Sequence, residues 1–350
     1  MKLLRNVFTG VAILTVVTLY AGLSFAVEKG ADLPVIKWRC QSMYPPPERI
    51  LPDSKYFGGY GQTMEVVRKV KEKTNGKFNI EVFIPGTLIK NPAILDGIRG
   101  GAIQMATFNG SYAGGLIKSA NIEGMSVGGA SDATVFVPMF LESDWMKIIR
   151  RDYAKYGIHY VCPLPTGTNL IMANFEAHTV DELKKYKIAA SGAKSELLQI
   201  LGVTAVNVLA MDLYPALERK TVDAIIYPSY CLNTYKFHEV VKYGIWTEIQ
   251  KPQLTNIICN LAAYNALPKS YQDALNEAGM EVAIHQLKGT EEIDDVGRQT
   301  ALKHGIKLIT FEGAEKQKIR QAIVKIWEKY AAMSEDNAKL ISILRKYAGY

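Results

Sequence analysis

The sequence predicts an α/β fold of two lobes followed by C-terminal helices. Short apolar strands alternate with amphipathic helices between residues 36 and 106, and the alternation returns between residues 179 and 226. After Pro268 only helical spacing remains. Alternating strands and helices are typical of parallel or mixed sheets covered by helices. Each alternating stretch therefore predicts one lobe.

The first stretch contains a helix that is recognisable from its pattern. Met64, Val67 and Val70 fall on one side of residues 62–73, and Asn75-Gly76 is a stop signal after them. The predicted order of elements in this stretch is strand 36–40, proline-rich loop 45–52, helix 62–73, strand 78–82, helix from Asn91-Pro92 to residue 99, and strand 102–106.

The second stretch begins with a capping box, in which Thr179 and Glu182 stand at the first turn of a helix. The elements predicted after it are strand 187–190, helix 196–201, strand 205–208, helix 212–220, strand 224–226, and C-terminal helices 271–285, 315–333 and 337–346. We place the first lobe at 27–160, the second at 161–265 and the linking helices at 266–350. A cleft between two lobes is the natural place for a ligand.

The N-terminus has the pattern of a secretory leader. Lys2 and Arg5 precede an apolar run over residues 7–23, and Ser24-Phe25-Ala26 is a small-x-small cleavage signal. The run is short for a membrane span. We predict a signal peptide over residues 1–26 and an exported protein, with an uncleaved anchor as the alternative.

Composition and spacing argue against several classes of function. The net charge is +7, but lysine and arginine alternate with acidic residues along the predicted helices, so no nucleic-acid partner is expected. The histidines are scattered, and the four cysteines form no close pair, so no metal or redox motif is expected. In an oxidising compartment one or two disulfides are permitted, and the spacing of the cysteines does not determine which would pair. No nucleophile with a base and no paired carboxylates stand at diagnostic spacing, so we expect neither an enzyme nor a cofactor.

Several motifs resemble one known family. Gly86-Thr87-Leu88 and residues 94–105 resemble its G-x-L loop, acidic-apolar helix and G-A-I-D-M segment. Residues 180–188 resemble its D-x-L-K-G-x-K-x-R strand entry, and residues 201–224 resemble L-G-A-x-P-V followed by E-V-Y-x-A-L-Q-x-G-x-V-D-G. The family is that of the substrate-binding subunits, called DctP, of tripartite ATP-independent periplasmic (TRAP) transporters. The resemblance covers about residues 35–330.

The resemblance implies a two-lobed periplasmic binding protein that closes over a small-molecule ligand. Its partners would be the integral membrane subunits of an ion-driven transporter, and its location the periplasm. A ligand receptor for a sensory partner would use the same fold and is the alternative function.

The sequence departs from the family where most members bind the ligand's carboxylate. Ala189 stands at the position of the usual arginine, Tyr227 at that of an asparagine, and Ala210 or Met211 at that of an aromatic platform. Lys194 is a candidate replacement charge, since residues 191–195 lead from a strand into a helix N-terminus. A solvated Lys194 beside a capping serine is the alternative reading.

The predicted ligand-binding residues follow from the same alignment with the family's pocket. The aligned residues include no charged residue. Tyr230 is not among them, and we add it as a neighbouring aromatic. We therefore favour a ligand that is not a simple monocarboxylate, held by an aromatic surface that also includes Tyr44 and Tyr112. Asn109 and Tyr227 are the expected bridge between the lobes. The full set is Gln41, Asn91, Phe108, Asn109, Asn169, Met211, Tyr227 and Tyr230.

Overall fold

A computed structural model of the chain describes residues 33–46, 58–124, 128–130, 132–247 and 249–350. The predicted leader and most of the proline-rich loop lie outside these residues. Thirteen strands are present in the described part: β1 (Ile36–Ser42), β2 (Phe78–Phe83), β3 (Met105–Phe108), β4 (Gly128–Gly129), β5 (Ile158–Pro165), β6 (Asn169–Ala173), β7 (Lys187–Ala189), β8 (Thr204–Val206), β9 (Ala224–Pro228), β10 (Tyr243–Trp246), β11 (Gln250–Lys251), β12 (Leu254–Asn260) and β13 (Lys307–Thr310).

The same residues contain helices on and between the sheets. They are α1 (Gly58–Lys73), α2 (Ile94–Arg99), α3 (Ala120–Glu123), α4 (Phe136–Glu142), α5 (Trp145–Ala154), α6 (Val180–Leu183), α7 (Ala193–Ile200), α8 (Leu213–Glu218), α9 (Cys231–Thr234), α10 (Leu261–Asn265), α11 (Lys269–Lys288), α12 (Thr290–Lys303), α13 (Gly313–Ala331) and α14 (Glu335–Ala348). Within the described part of the chain, every helix is too short or too polar to traverse a bilayer.

Two large mixed sheets confirm the predicted α/β class and its division into two lobes. The first sheet has the strand order β2-β1-β3-β12-β5, and the second has the order β13-β10-β6-β9-β7-β8. Strands β1, β2 and β3 are parallel in the first sheet, and β7, β8 and β9 are parallel in the second. A pair of short strands, β4 and β11, forms a third sheet.

The chain passes from one sheet to the other more than once. It leaves the first sheet after β5, returns to it at β12, and crosses again between α11 and α12. The two strand crossings lie side by side, because the Thr166 amide donates to the Gln253 carbonyl and the Gln253 amide donates to the Gly167 carbonyl, each at 2.8 Å. The lobe boundaries at residues 160 and 265 remain a prediction.

A buried aspartate fixes one crossing to the second lobe. Asp294 in α12 accepts hydrogen bonds from the Thr168 amide at 2.9 Å, the Thr168 hydroxyl at 2.5 Å and the Ser229 hydroxyl at 2.7 Å. These bonds join α12, the segment that enters β6, and the segment that leaves β9. Asp294 thus holds the end of strand β9 in place.

The local predictions are confirmed at some positions and wrong at others. The capping box of Thr179 and Glu182 is present at α6. The strand predicted at residues 102–106 begins instead at Met105, because Gly101 has a φ of +74° and the chain is still turning after α2.

The face of α1 also differs from the prediction. Met64 is 43 % exposed, whereas Gln62 and Thr63 are buried. Both polar side chains are hydrogen-bonded inside the lobe, since Gln62 Nε2 donates to the Pro165 carbonyl and the Thr63 and Thr107 hydroxyls lie 2.5 Å apart. These hydrogen bonds lower the cost of burying the two side chains, although the Gln62 oxygen accepts none from the described residues.

Candidate functional site

The candidate site lies where the parallel strands of both sheets end. In the first lobe, the carboxyl ends of β1 and β3 lead to Tyr44 and Asn109. In the second lobe, β7 leads to Lys194, and β9 carries Tyr227 and leads to Tyr230. In open α/β sheets, ligands bind in the crevice outside the carboxyl ends of the strands. We call these five residues the cleft cluster.

Side chains of the two lobes approach each other at the cleft cluster. A methyl group placed on Gly58 would lie 3.3 Å from the Tyr230 hydroxyl, and one placed on Gly192 would lie 3.4 Å from the Ser111 side chain. Gly58 and Ser111 belong to the first lobe, and Gly192 and Tyr230 to the second. Both glycines have a positive φ, a backbone conformation that favours residues without a Cβ.

The tyrosines of the cluster are neutral hydrogen-bonding groups. Burial raises the pKa of Tyr44, and a hydrogen bond with the Asn109 side chain opposes that rise. Burial also raises the pKa of Tyr227, with smaller contributions from Tyr235, Cys231 and Tyr44. The hydroxyls therefore stay protonated at neutral pH and can both donate and accept.

Aromatic packing fixes Tyr227 from behind. Its ring meets the edge of Tyr235 at 5.6 Å and that of Phe237 at 5.8 Å between ring centroids. Tyr235 and Phe237 stack on each other at 5.6 Å. Edge-to-face contacts of this kind stabilise a ring in one orientation, so Tyr235 and Phe237 hold the Tyr227 ring in place.

Lys194 is the cation of the cleft cluster. It is the second residue of α7, which begins directly after Gly192, and the φ of +58° and ψ of −140° at Gly192 turn the chain into the helix. Burial lowers the pKa of Lys194 from 10.5 to about 8, and the nearby Cys231 opposes that change. No described residue forms an ion pair or hydrogen bond with its ammonium group.

Some predicted ligand-binding residues have other contacts. Gln41 is buried and holds the loop before α2, because its amide donates to the Ile84 carbonyl at 2.6 Å and its oxygen accepts from the Leu88 amide at 2.9 Å. Phe108 is 1 % exposed and belongs to the core of the first lobe. Both residues stabilise the first lobe next to the cleft cluster. Contact with a ligand stays a prediction for each of them.

The predicted asparagines are placed in three different ways. Asn109 is in the cleft cluster, where its side-chain oxygen accepts from the Ser111 amide at 3.0 Å and hydroxyl at 2.7 Å. Asn91 donates to the Met43 carbonyl at 3.2 Å. Asn169 is buried at the start of β6 and donates to the Gln250 side chain, while its own oxygen accepts no hydrogen bond from the described residues. Contact of Asn91 and Asn169 with a ligand stays a prediction.

Two further residues of the sequence prediction are Met211 and Tyr112. Met211 lies in a short 3-10 helix at residues 210–212, and its side chain is outside the described part. Tyr112 is 55 % exposed, with its ring 6.4 Å from that of Phe108.

Sequence reasoning missed Tyr235, Cys231 and Gly58. The only signal for Tyr235 was a third tyrosine in the segment that holds Tyr227 and Tyr230.

The four cysteines are buried and unpaired, and burial raises the thiol pKa at each of them. A raised thiol pKa keeps a cysteine protonated and unreactive. In the described part of the chain, no three His, Cys, Asp or Glu side chains come together in a way that suits a metal ion.

Comparison with known proteins gives one family and several relatives. The model of bacterial extracellular solute-binding protein family 7, DctP, matches residues 59–333. The monocarboxylate 2-oxoacid-binding periplasmic protein of a Nostoc species is 27 % identical over 85 % of this chain and 78 % of its own length. The 2,3-diketo-L-gulonate-binding periplasmic protein of Escherichia coli is 22 % identical over 73 % of this chain and 80 % of its own.

Solved structures share the fold at low sequence identity. A TRAP periplasmic solute-binding protein of Pseudoalteromonas atlantica, with bound sodium and pyruvate, has a TM-score of 0.75 and 23 % identity over 89 % of this chain and 94 % of its own. A TRAP transporter solute-binding protein of Bordetella bronchiseptica, with calcium and picolinate, has a TM-score of 0.77 and 22 % identity over 90 % of this chain and 92 % of its own.

Proposed function

Because the chain belongs to the DctP family of bacterial extracellular solute-binding proteins, the substrate-binding subunits of TRAP transporters, we propose that it binds a small organic solute in the cleft cluster. It then delivers that solute to integral membrane subunits of a TRAP transporter. Residues 1–26 would direct it to the periplasm and be removed there. The matched proteins give no support to the sensory alternative.

The observation that carries this proposal is the meeting of side chains from both lobes. Tyr44 and Asn109 come from the first lobe, and Tyr227 and Tyr230 from the second, yet Tyr44 is close enough to contribute to the pKa of both second-lobe tyrosines. A ligand favours a closed form only through contacts that it makes in that form and not in the open one. A solute bonded to tyrosines of both lobes meets that condition.

The proposed site binds its solute without the arginine that most family members use. Ala189 is buried at the end of β7, and its methyl group offers no hydrogen bond to a ligand. Tyr227, which replaces the usual asparagine, is held by Tyr235 and Phe237. The hydrogen bonds to the solute therefore come from tyrosine hydroxyls and the Asn109 amide, with Lys194 as the nearby charge.

A thermal-shift screen tests the proposed function. The purified chain is heated with carboxylates, sugars, polyols, amines, amino acids and aromatic compounds, because a ligand that binds only the folded form raises the melting temperature. At least one small organic solute should raise it, and titration calorimetry should then give one site per chain. The proposal fails if no class of small solute binds.

Gly59→Ala is expected to weaken binding of that solute by about fivefold. Gly59 lies in α1, and an added methyl group would overlap the Tyr44 ring. Overpacking moves side chains and typically costs about 1 to 3 kcal/mol, and here part of that cost is displacement of a ligand-binding ring. Titration calorimetry measures the affinity of both proteins.

Gly115→Ala is the matched control, since a methyl group on Gly115 would meet no atom within 4 Å. It should leave the affinity unchanged. Equal affinity of Gly59→Ala and the wild type would remove Tyr44 from the site.

A further inference from the structure

The Lys194 ammonium group is unusual because it is partly buried and unpaired. Two other lysines that contact α7 or the turn after it have acidic partners: Lys329 lies 2.8 Å from Glu196, and Lys184 pairs with Asp181 at 2.6 Å. Glu196, two residues after Lys194 in α7, also accepts from the Tyr330 hydroxyl at 3.3 Å, so both of its oxygens are engaged. A buried charge without a partner is costly.

The other groups around Lys194 are not acids at neutral pH. The titratable neighbour that affects it is the Cys231 thiol in α9, and burial raises the pKa of that thiol to about 12. Cys231 in turn contacts Tyr230, whose pKa is also raised by burial. On the side of α13, Lys329 and Tyr330 are bonded to Glu196. Glu196, the acidic residue nearest to Lys194 in the sequence, is therefore already bonded and does not neutralise the lysine.

The backbone around Lys194 also suits an anion. The amides of Ser195 and Glu196 already donate to the Gly192 carbonyl, whereas those of Ala193 and Lys194 form no hydrogen bond with the described residues. They are the first two amides of an eight-residue helix. Free amides at a helix N-terminus attract negative charge. The Lys194 ammonium and these free amides therefore both favour an anionic ligand group.

We propose that Lys194 takes the place of the missing arginine as the residue of this chain that binds the anionic group of the solute. This inference rests on the proposed function. The neutral tyrosines bind the body of the solute through their rings and hydroxyls, and no described carboxylate in the cluster favours a cation. A neutral or cationic ligand would leave Lys194 without a partner.

Lysine at this position changes the geometry of recognition. A guanidinium binds a carboxylate through two parallel hydrogen bonds, whereas an ammonium is a compact charge with three rotatable donors. The tyrosine hydroxyls are then free to orient the carboxylate. Because burial lowers the pKa of Lys194 to about 8, the affinity for the anion should fall as the pH rises through that range.

The test compares carboxylates with their uncharged amides. The probes are pyruvate and pyruvamide, picolinate and picolinamide, and benzoate and benzamide, together with any solute found in the screen. The wild type should prefer the carboxylate of the pair that it binds by about tenfold or more, and Lys194→Met should lose about that factor. Lys194→Arg should keep most of the affinity and remove its decline near pH 8, because arginine stays charged.

Lys185→Met is the control, since Lys185 is an exposed lysine of the same lobe without an ion pair among the described residues. The melting temperature of each variant shows that it is folded. The inference is overturned if Lys194→Met binds the carboxylate as tightly as the wild type, or if only neutral solutes bind. In the second case the proposed function stands, whereas binding of no solute at all overturns both.

Discussion

Glu123→Ala should lower the free energy of unfolding by about 3 to 5 kcal/mol, as measured by urea denaturation. Glu123 is fully buried in the first lobe and accepts from the Tyr153 hydroxyl at 3.1 Å, the Tyr160 hydroxyl at 2.9 Å and the Asn256 amide at 2.8 Å. Alanine leaves three buried donors without their acceptor and adds a cavity. Both effects destabilise the first lobe.

Glu123→Gln separates the hydrogen bonds from the charge. Its oxygen can accept from Tyr153 and Asn256, and its amide can donate to the Tyr160 hydroxyl, so the hydrogen bonds should be restored and Glu123→Gln should be at least as stable as the wild type at neutral pH. A Glu123→Ala protein as stable as the wild type would contradict the importance of this network.

The pH dependence of stability gives a second readout for Glu123. Burial raises the pKa of this carboxyl to about 7, and the hydrogen bonds from Tyr160, Tyr153 and Asn256 oppose that rise. Because the folded protein holds this proton more tightly than the unfolded chain, the resulting stabilisation is fully present below the unfolded-state pKa of 4.5. It is lost as the pH rises through the folded-state pKa of about 7. The wild type should therefore lose up to about 3 kcal/mol relative to Glu123→Gln over this interval.

Tyr227→Ala should weaken binding of the solute by about tenfold or more while the protein stays folded. Tyr227 lies at the end of β9, and its hydroxyl group is within electrostatic reach of Tyr44 in the opposite lobe. Alanine removes both the ring face and the hydroxyl, so contacts made in the closed form are lost. Titration calorimetry measures the affinity, and circular dichroism checks the fold.

Two further variants sharpen this test. Tyr227→Phe keeps the ring packed against Tyr235 and Phe237, so it measures the hydroxyl alone. Tyr214→Ala removes a tyrosine of the same lobe whose hydroxyl bonds Glu239 at 2.8 Å, away from the cleft cluster, and should bind normally. An unchanged affinity in Tyr227→Ala would exclude this residue from the site.

Local sequence patterns predicted the class of the fold and several element ends. The Thr179 capping box depends only on residues within one turn, so it is legible in the sequence and present in the structure. The return of β12 to the first sheet was not predicted, because pairing between β12 and β3 joins residues about 150 positions apart. The buried face of α1 was missed for the same reason, since the partners of Gln62 and Thr63 are on distant strands.

The candidate site was predicted less completely than the fold. Asn109 and Tyr227 are both in the cleft cluster, each beside Tyr44, and their role as the bridge between the lobes stays a prediction. The sequence left two readings open for Lys194, because the spacing of residues does not reveal which charges lack a partner. Only the positions of Glu196, Lys329 and Cys231 indicate that this lysine is unpaired and partly buried.

A crystal structure of the chain with the solute found in the screen tests the central claim most directly. We predict that the solute lies between the two large sheets, within about 3 Å of the hydroxyl groups of Tyr44 and Tyr227. Its charged group, if it has one, should be at the same distance from the Lys194 ammonium. A solute bound outside the space between the sheets, with the cleft cluster unaltered, would contradict the account.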